Sequence, residues 1–197
     1  MLRQFTILLI SMSLTLCSAA QNPIADPTAL LTRIAAAQRP PQGKPLTYAF
    51  TQTKHSPMLA QDAVSHGTLT LSGERQMHWQ YSDPTDLALI VDGDSIYTLS
   101  DGKRNTLSGV GGAATRGMAQ TMMALAGGDA LADGKVFAVE LTEEPSLYRA
   151  VLTPKRRDMR RIMQPVTVTF DKGSCRVNTV RLLENNDSYT LIEFRAK

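Results

Sequence analysis

The sequence predicts an α+β protein in which a large antiparallel β-sheet carries its helices on one face. The chain has 197 residues, enough for a single domain with its own core. From about residue 46 the hydrophobic residues recur with a period of two, in roughly ten short runs separated by turn residues. Two longer segments have helical spacing, one before the first run and one between the fifth and the sixth.

The composition is typical of a globular protein, with 43% hydrophobic and 20% charged residues. These proportions exclude a disordered chain, a collagen and a bundle of membrane helices. The formal net charge is only +3 and the charges are interspersed, so we expect no nucleic-acid partner. The sequence pI of about 9.0 leaves anionic surfaces open as partners.

Residues 1–20 have the pattern of a secretory signal peptide. Arg3 precedes an apolar run that ends at Leu16, and small residues follow it up to Ala20. The run is shorter than the roughly 20 residues that a helix needs to cross a bilayer. We therefore expect cleavage after Ala20 and a single domain over residues 21–197.

Cys17 allows a second interpretation of this segment. The sequence from Leu14 to Cys17 resembles a lipobox, whose cysteine is acylated and becomes the mature N-terminus. Leu16 stands where a lipobox has Gly, Ala or Ser, which favours cleavage after Ala20. Cys175 would then be the only cysteine, without a partner for an internal disulfide. We interpret Cys175 as a small apolar side chain in a strand.

The first helix is predicted over residues 27–38. Asp26 is a capping residue, Pro27 suits the first turn, and leucine and isoleucine side chains follow at helical spacing. Short turns after this helix predict antiparallel meanders. The predicted strands lie near 46–54, 66–72, 76–82, 86–92, 95–99, 136–141, 147–153, 165–171, 176–184 and 188–195.

A second helix is predicted over residues 115–126, ended by Gly127 and Gly128. Asp129 is positioned to cap one further turn. The segment Gly109–Gly112 before this helix lacks the residues of a phosphate loop and the spacing of a dinucleotide fingerprint. We interpret its glycines as part of a flexible loop.

Nothing in the sequence favours an enzyme. The histidines are His55, His66 and His78, and they do not have the spacing of metal ligands. The segment Gly93–Ser95 lies at a hairpin turn and not at the strand-to-helix elbow of a hydrolase nucleophile. We expect no cofactor and no metal site, and a secreted hydrolase is the remote alternative.

One face of the predicted sheet is apolar, and the second helix is rich in methionine. Methionine adapts to irregular shapes, so such a helix over an apolar sheet suits either a packed core or a cavity for flexible ligands. Met118, Met122 and Leu125 lie at positions i, i+4 and i+7 of this helix. The strand residues that share a face are Leu69, Leu71, Met77, Trp79, Tyr81, Leu87, Leu89 and Val91.

The connection between two later strands holds five positive charges in seven residues. A solvated hairpin is one interpretation, and contact with an acidic partner or with lipid headgroups is the other. These residues are Lys155, Arg156, Arg157, Arg160 and Arg161.

Short segments in a shared order carry a family resemblance. They are Ala49–Thr53, Gly67–Leu71, Met77–Tyr81 with Pro84 after it, Leu89–Gly93 and Leu152–Lys155. Behind a signal peptide, this order resembles the LolA family of periplasmic carriers of outer-membrane lipoproteins. The resemblance covers nearly the whole mature chain.

The resemblance implies an unclosed β-barrel, that is, a strongly curved antiparallel sheet with helices as a lid over its apolar concave face. It implies a monomeric periplasmic carrier that shields the acyl chains of lipoproteins and delivers them from the inner to the outer membrane. The implied partners are acylated lipoproteins, an inner-membrane lipoprotein-releasing transporter and an outer-membrane acceptor. The implied acyl-binding residues are Leu69, Leu71, Met77, Trp79, Tyr81, Leu89, Val91, Met118, Met122 and Leu125.

One position departs from the family pattern. Family members often have Arg-Pro before the strand that starts near residue 76, with the arginine bonded to the lid, whereas this chain has Gly73 and Glu74 there. Arg75 is the expected substitute for that lid contact.

Two alternatives on the same fold stay open. One is a lipid- or lipoprotein-sensing regulator that binds the periplasmic segment of a membrane protein. The other is a membrane-anchored acceptor, which requires an acylated Cys17.

Overall fold

The computed structural model describes residues 22–24, 26–73, 75–126, 131, 134–184 and 186–197. The predicted signal peptide, with Cys17, lies outside them, as do the predicted helix end at Gly127 and Gly128 and the cap at Asp129. The helices are α1 (Pro27–Gln38), α2 (Gly109–Ala126) and α3 (Arg157–Ile162). The strands are β1 (Asn22–Pro23), β2 (Leu46–His55), β3 (Ala63–Gly73), β4 (Gln76–Asp83), β5 (Leu87–Asp92), β6 (Ser95–Ser100), β7 (Lys103–Thr106), β8 (Phe137–Glu143), β9 (Leu147–Pro154), β10 (Val166–Asp171), β11 (Val177–Leu183) and β12 (Tyr189–Ala196).

The strands form one antiparallel sheet in the order β1-β8-β9-β10-β11-β12-β2-β3-β4-β5-β6-β7. It consists of two meanders, β2–β7 and β8–β12, as the short turns predict. Its edge strands β1 and β7 do not pair with each other, so the described sheet is not closed. The α+β class and the unclosed antiparallel sheet are therefore confirmed.

The two meanders are joined by the pairing of β12 with β2. Eight residue pairs run from Tyr189 opposite His55 to Ala196 opposite Tyr48. The backbone N–H of Lys197 extends the contact by donating to the Thr47 carbonyl at 3.1 Å. The last strand of the chain is thus fixed beside its first long strand.

The core lies on one face of this sheet. Alternate residues of β2 and β12 are buried, as the period-two pattern predicts, and they join one apolar cluster with the inner residues of the other strands. Leu30 and Ile34 of α1, together with Ala119 and Met122 of α2, belong to the same cluster. The helices therefore cover the apolar face of the sheet.

Helix α1 has the predicted bounds. The Asp26 carboxylate accepts a hydrogen bond from the Thr28 backbone N–H at 3.0 Å, and Pro27 occupies the first turn. The helix ends where Arg39 becomes extended, directly before Pro40 and Pro41.

Helix α2 begins earlier than the sequence predicts. The segment Gly109–Gly112, interpreted as a flexible loop, forms its first turn. Gly112 lies so close to Leu107 that a Cβ atom would be 2.6 Å from the Leu107 carbonyl carbon. The Arg116 guanidinium also donates to the Leu107 carbonyl at 2.5 Å. These contacts hold the first turn of α2 in place. The sequence does not predict this turn, because its glycines do not contribute to a helical hydrophobic period.

Two further expectations are wrong in detail. Cys175 is buried but lies in the loop between β10 and β11, with a left-handed φ of 56°, and not in a strand. The basic connection contains the helix α3 and is not a simple hairpin. The edge strands β1 and β7 were missed because they have two and four residues, too few to show an alternation.

Candidate functional site

An apolar cavity lies where the two meanders meet. Its volume is about 30 Å³, close to the space that one water molecule occupies. The lining side chains come from both meanders and from the two longer helices. They are Gln38, Tyr48, Leu69, Leu71, Met122, Val168, Phe170, Val177, Val180 and Phe194.

Three of the predicted acyl-binding residues line this cavity. Leu69 and Leu71 form part of its wall on β3, and Met122 of α2, only 5% exposed, covers it. The others on the sheet lie in or against the same core without lining the cavity, namely Met77, Trp79, Tyr81, Leu89 and Val91. Met118 and Leu125 belong to α2, but their side chains lie outside the described part of the structure.

The second meander supplies half of the cavity wall, and the sequence reasoning missed it. Val168 and Phe170 of β10 and Phe194 of β12 lie on the alternate, buried positions of their strands, a signal that the sequence does contain. Val177 and Val180 of β11 are three residues apart and line the same cavity because the β10–β11 register shifts between Thr169 and Phe170, which a period of two cannot predict. These residues line the same cavity as Leu69 because β12 pairs with β2, and the sequence pattern does not specify that pairing.

Aromatic side chains form a continuous group beside the cavity. Trp79 is fully buried, and its ring centroid lies 4.5 Å from that of Phe50 and 6.0 Å from that of Phe194. Gly67 makes this packing possible, because a Cβ atom there would be 2.6 Å from the Phe50 ring and 2.0 Å from the Gln80 carbonyl oxygen. The core beside the cavity is therefore built from closely packed aromatic rings.

Gln38 fixes the end of α1 to the second meander. Its side-chain amide donates to the Ile34 carbonyl at 2.8 Å and to the Cys175 carbonyl at 2.7 Å. Its amide oxygen accepts from the Val177 N–H at 3.0 Å. This buried polar residue is thus fully engaged and holds α1 against the loop between β10 and β11.

Two tyrosine hydroxyls lie on the inner face of the sheet. Burial raises the pKa of Tyr81, and its hydroxyl donates to the Gln52 side-chain oxygen at 3.0 Å. Burial also raises the pKa of Tyr48, an effect that the adjacent Arg176 guanidinium partly opposes, by its close approach to the hydroxyl and by its positive charge. Both hydroxyls are therefore neutral near pH 7.

Arg75 lies away from the cavity. Its guanidinium pairs with the Asp94 carboxylate, and its carbonyl accepts from the Gly93 N–H at 3.0 Å. The described contacts tie Arg75 to the hairpin between β5 and β6, and the expected bond to α2 is not among them. On its other side it borders an open polar groove that also includes Arg39 and Lys44.

The basic segment lies at the far end of β9. Lys155 donates to the Gly134 carbonyl at 2.5 Å, and Arg160 donates to the Lys155 carbonyl at 2.7 Å. Arg156 and Arg157 are exposed, and Arg156 also has an interaction partner. The side chain of Arg161 lies outside the described part of the structure. Arg160 thus holds α3 to the end of β9, and Lys155 holds that end to Gly134.

No metal site is found within the described residues, where no group of three His, Cys, Asp or Glu side chains could hold an ion. His55 contacts Asp62 at 2.7 Å, while His66 contacts Thr51 at 3.2 Å. Nor does any helix in the described ranges combine the length and the apolarity that a membrane crossing requires.

Comparison with solved structures gives relatives of low identity. A LolA superfamily protein from Nitrosomonas europaea is 11% identical, with a TM-score of 0.42, 85% of this chain covered and 91% of that one. MucB of the Pseudomonas aeruginosa MucA/MucB complex is 13% identical, with a TM-score of 0.44, 86% of this chain covered and 56% of that one. The lipoprotein LppX of Mycobacterium tuberculosis is 14% identical, with a TM-score of 0.38 and coverages of 87% and 95%.

Comparison with protein families gives a specific result, although no curated protein sequence matches the chain. The family model described as outer membrane lipoprotein carrier protein LolA matches residues 42–196. That range runs from the loop before β2 to the end of β12 and includes almost the whole sheet and helix α2. The chain therefore belongs to the LolA family of outer membrane lipoprotein carrier proteins.

Proposed function

We propose that the protein is a periplasmic carrier that shields the acyl chains of lipoproteins and delivers them from the inner to the outer membrane. The observation that carries this proposal is the apolar cavity beneath Met122, at the seam of a sheet that belongs to the LolA family. We assign acyl-chain binding to the apolar side chains around it. They are the predicted residues Leu69, Leu71, Met77, Trp79, Tyr81, Leu89, Val91, Met118, Met122 and Leu125, joined by the lining residues of β10 to β12.

The need for such a carrier follows from the hydrophobic effect. Each acyl methylene in water is unfavourable by about 0.8 kcal/mol, so a chain of about 14 carbons would cost roughly 10 kcal/mol. A lipoprotein with several such chains cannot cross an aqueous compartment unaided. An apolar cavity removes most of this unfavourable term.

The cavity must enlarge to accept a chain. Its volume of about 30 Å³ is far below the roughly 300–1,000 Å³ of ordinary ligand pockets. We assign the movement to helix α2, which contributes Met122 to the cavity and contains four glycines in 18 residues. Glycine inside a helix lowers its stability, so α2 is suited to shift away from the sheet.

The same proposal implies a cellular location and partners for the carrier. Cleavage of residues 1–20 would release a monomer into the periplasm. An inner-membrane lipoprotein-releasing transporter would load it, and an outer-membrane acceptor would receive the cargo. We assign contact with an acidic partner or lipid headgroups to the exposed Arg156 and Arg157 and their basic neighbours. The chemistry needs no cofactor and no catalytic residue.

Photocrosslinking from position 122 tests the proposal. A photoreactive residue replaces Met122, and a second protein carries it at Met58, which is 93% exposed and distant from the cavity lining. We expect acylated lipoproteins crosslinked to position 122 in cells and identified by mass spectrometry, and far fewer at position 58. A single membrane protein at position 122 would instead support the regulator.

Substitution of Met122 by aspartate gives a functional test. A carboxylate beneath α2 would either remain buried without a partner or hold the helix open, and both outcomes oppose chain binding. We expect Met122→Asp to reduce lipoprotein release from inner-membrane spheroplasts at least tenfold, and Met58→Asp to leave it unchanged. Equal release by the two variants would contradict the role of α2.

The intact mass of the mature protein tests the membrane-anchored acceptor. A mass that corresponds to a chain beginning at Gln21 would exclude this alternative, because Cys17 and any lipid on it would be absent.

A further inference from the structure

The Tyr48 hydroxyl is a buried donor without a hydrogen-bond partner. Tyr48 is 2% exposed and lines the apolar cavity. Its hydroxyl has no hydrogen bond with any residue that the structure describes, and Arg176, although close, makes none of standard geometry with it. Because burial raises its pKa, the hydroxyl keeps its proton and remains a donor.

The other polar group of the cavity is already engaged. Both N–H donors of Gln38 and its amide oxygen are used in holding α1 to the loop after β10. Among the side chains that line the cavity, Tyr48 therefore offers the free donor. The other lining residues that the structure describes are apolar.

A second unpaired donor lies in the same row of the sheet. Tyr48 is opposite Leu69, and Leu69 is opposite Trp79, with all three side chains on the inner face. The indole N–H of Trp79 makes no hydrogen bond of standard geometry with any described residue, although the Tyr81 hydroxyl is close to it, and the residue is fully buried. A chain that lies over Leu69 would pass between these two donors.

We propose that the Tyr48 hydroxyl binds the carbonyl oxygen of a fatty-acyl ester or amide when the cavity opens. This inference rests on the proposed carrier function and specifies its ligand. The cavity then recognises an acyl group by its carbonyl and not a plain hydrocarbon chain. Trp79 is the second donor along the same path.

The energetics support a ligand role for the hydroxyl. A buried hydroxyl without a partner destabilises the free protein, and phenylalanine would fill the same space without this penalty. A hydrocarbon ligand offers no acceptor, whereas each acyl ester carries one carbonyl at the start of its chain. The unpaired donor is therefore explained by a ligand that brings the acceptor.

The experiment compares two matched lipopeptides. In the first, the N-terminal cysteine carries a glyceryl group with two ester-linked palmitoyl chains, and in the second the same chains are ether-linked hexadecyl groups. The amine is left free, so the chain carbonyls are the only difference. Dissociation constants are measured for the full mature protein, for Tyr48→Phe and for the control Tyr189→Phe, at the start of β12 and outside the cavity lining.

We expect the unsubstituted protein to bind the ester form about three- to tenfold more tightly than the ether form, the range of one neutral hydrogen bond. Tyr48→Phe should lose this preference, and Tyr189→Phe should keep it. The melting temperature of ligand-free Tyr48→Phe should rise by about 2–4 °C, because the unpaired hydroxyl is gone. A structural role for the hydroxyl would lower it instead.

The failure of this inference and of the carrier function can be told apart. Equal binding of the ester and ether forms by the unsubstituted protein, both for the lipopeptides and for diester and diether phosphatidylglycerol, would overturn the role of Tyr48 alone. Binding of neither lipopeptide would overturn the carrier function, and the absence of phosphatidylglycerol binding as well would overturn this inference with it. A diester and a diether phosphatidylglycerol form a second pair, and an ester preference seen only there would keep Tyr48 as the donor and identify a phospholipid as the ligand.

Discussion

At the scale of single residues, Gln38 connects a helix to the sheet by three hydrogen bonds. Gln38→Leu keeps the volume of the side chain but leaves the Cys175 carbonyl and the Val177 N–H without their partner. We expect a loss of about 1–3 kcal/mol in the free energy of unfolding, measured by urea denaturation. Gln42→Leu, at an exposed position of the following loop, is the control and should change it little.

A stability for Gln38→Leu equal to that of the Gln42 control would show that the loop after β10 is held by other contacts. The carbonyl of Cys175 would then need another donor, because the residue is buried.

Asp171 gives the same loop a dependence on pH. Hydrogen bonds from the backbone N–H and the hydroxyl of Ser174, each at 2.8 Å, hold the pKa of its carboxyl below the usual 3.8. Because the pKa of this carboxyl is lower in the folded than in the unfolded protein, its ionisation stabilises the folded state at pH values above the unfolded-state pKa. This stabilisation is lost as the pH falls through the folded-state pKa. We expect Ser174→Ala, which removes the hydroxyl but keeps the backbone N–H, to raise the pKa of Asp171 in an NMR titration. An unchanged titration would contradict the hydrogen bond from the hydroxyl.

At the scale of elements, the glycines of helix α2 differ in the space around them. Gly117 has open space where a Cβ atom would lie, whereas Gly112 is packed on the Leu107 backbone. We expect Gly117→Ala to stabilise the protein by about 0.5–1 kcal/mol and Gly112→Ala to destabilise it by about 1–3 kcal/mol, both measured by thermal unfolding.

The two substitutions control for each other because both add one methyl group to the same helix. If Gly112→Ala stabilised the protein as Gly117→Ala does, the close approach of α2 to Leu107 would be wrong. If the low stability of α2 is needed for loading, Gly117→Ala should also slow the uptake of lipopeptide.

At the scale of the whole molecule, the sheet and helix α2 should differ in their local stability. Strands β10, β11, β12 and β2 are each paired on both sides and supply most of the cavity wall. Helix α2 must separate from them for a chain to enter. We expect hydrogen exchange followed by mass spectrometry to show α2 exchanging at least tenfold faster than these strands. Equal protection would mean that chains enter by another route.

Much of this architecture follows from local pattern. The period of two within each of the two meanders specifies strands whose alternate residues are apolar, and the cap at Asp26 with Pro27 specifies the start of α1. The buried Leu69, Leu71 and Met122 are predictable because they occupy the apolar faces of a strand and of a helix. Strand order within each meander follows from short turns, which leave neighbouring strands no other partner.

The cavity itself depends on contacts between residues far apart in the chain. Local alternation is enough to place Tyr48, Phe170 and Phe194 on apolar strand faces. The meeting of these faces is a tertiary property, because the pairing of β12 with β2 joins segments more than a hundred residues apart and no local rule selects it. For the same reason an unpaired hydroxyl on Tyr48 is invisible in the sequence, because a missing partner is a property of the assembled interior.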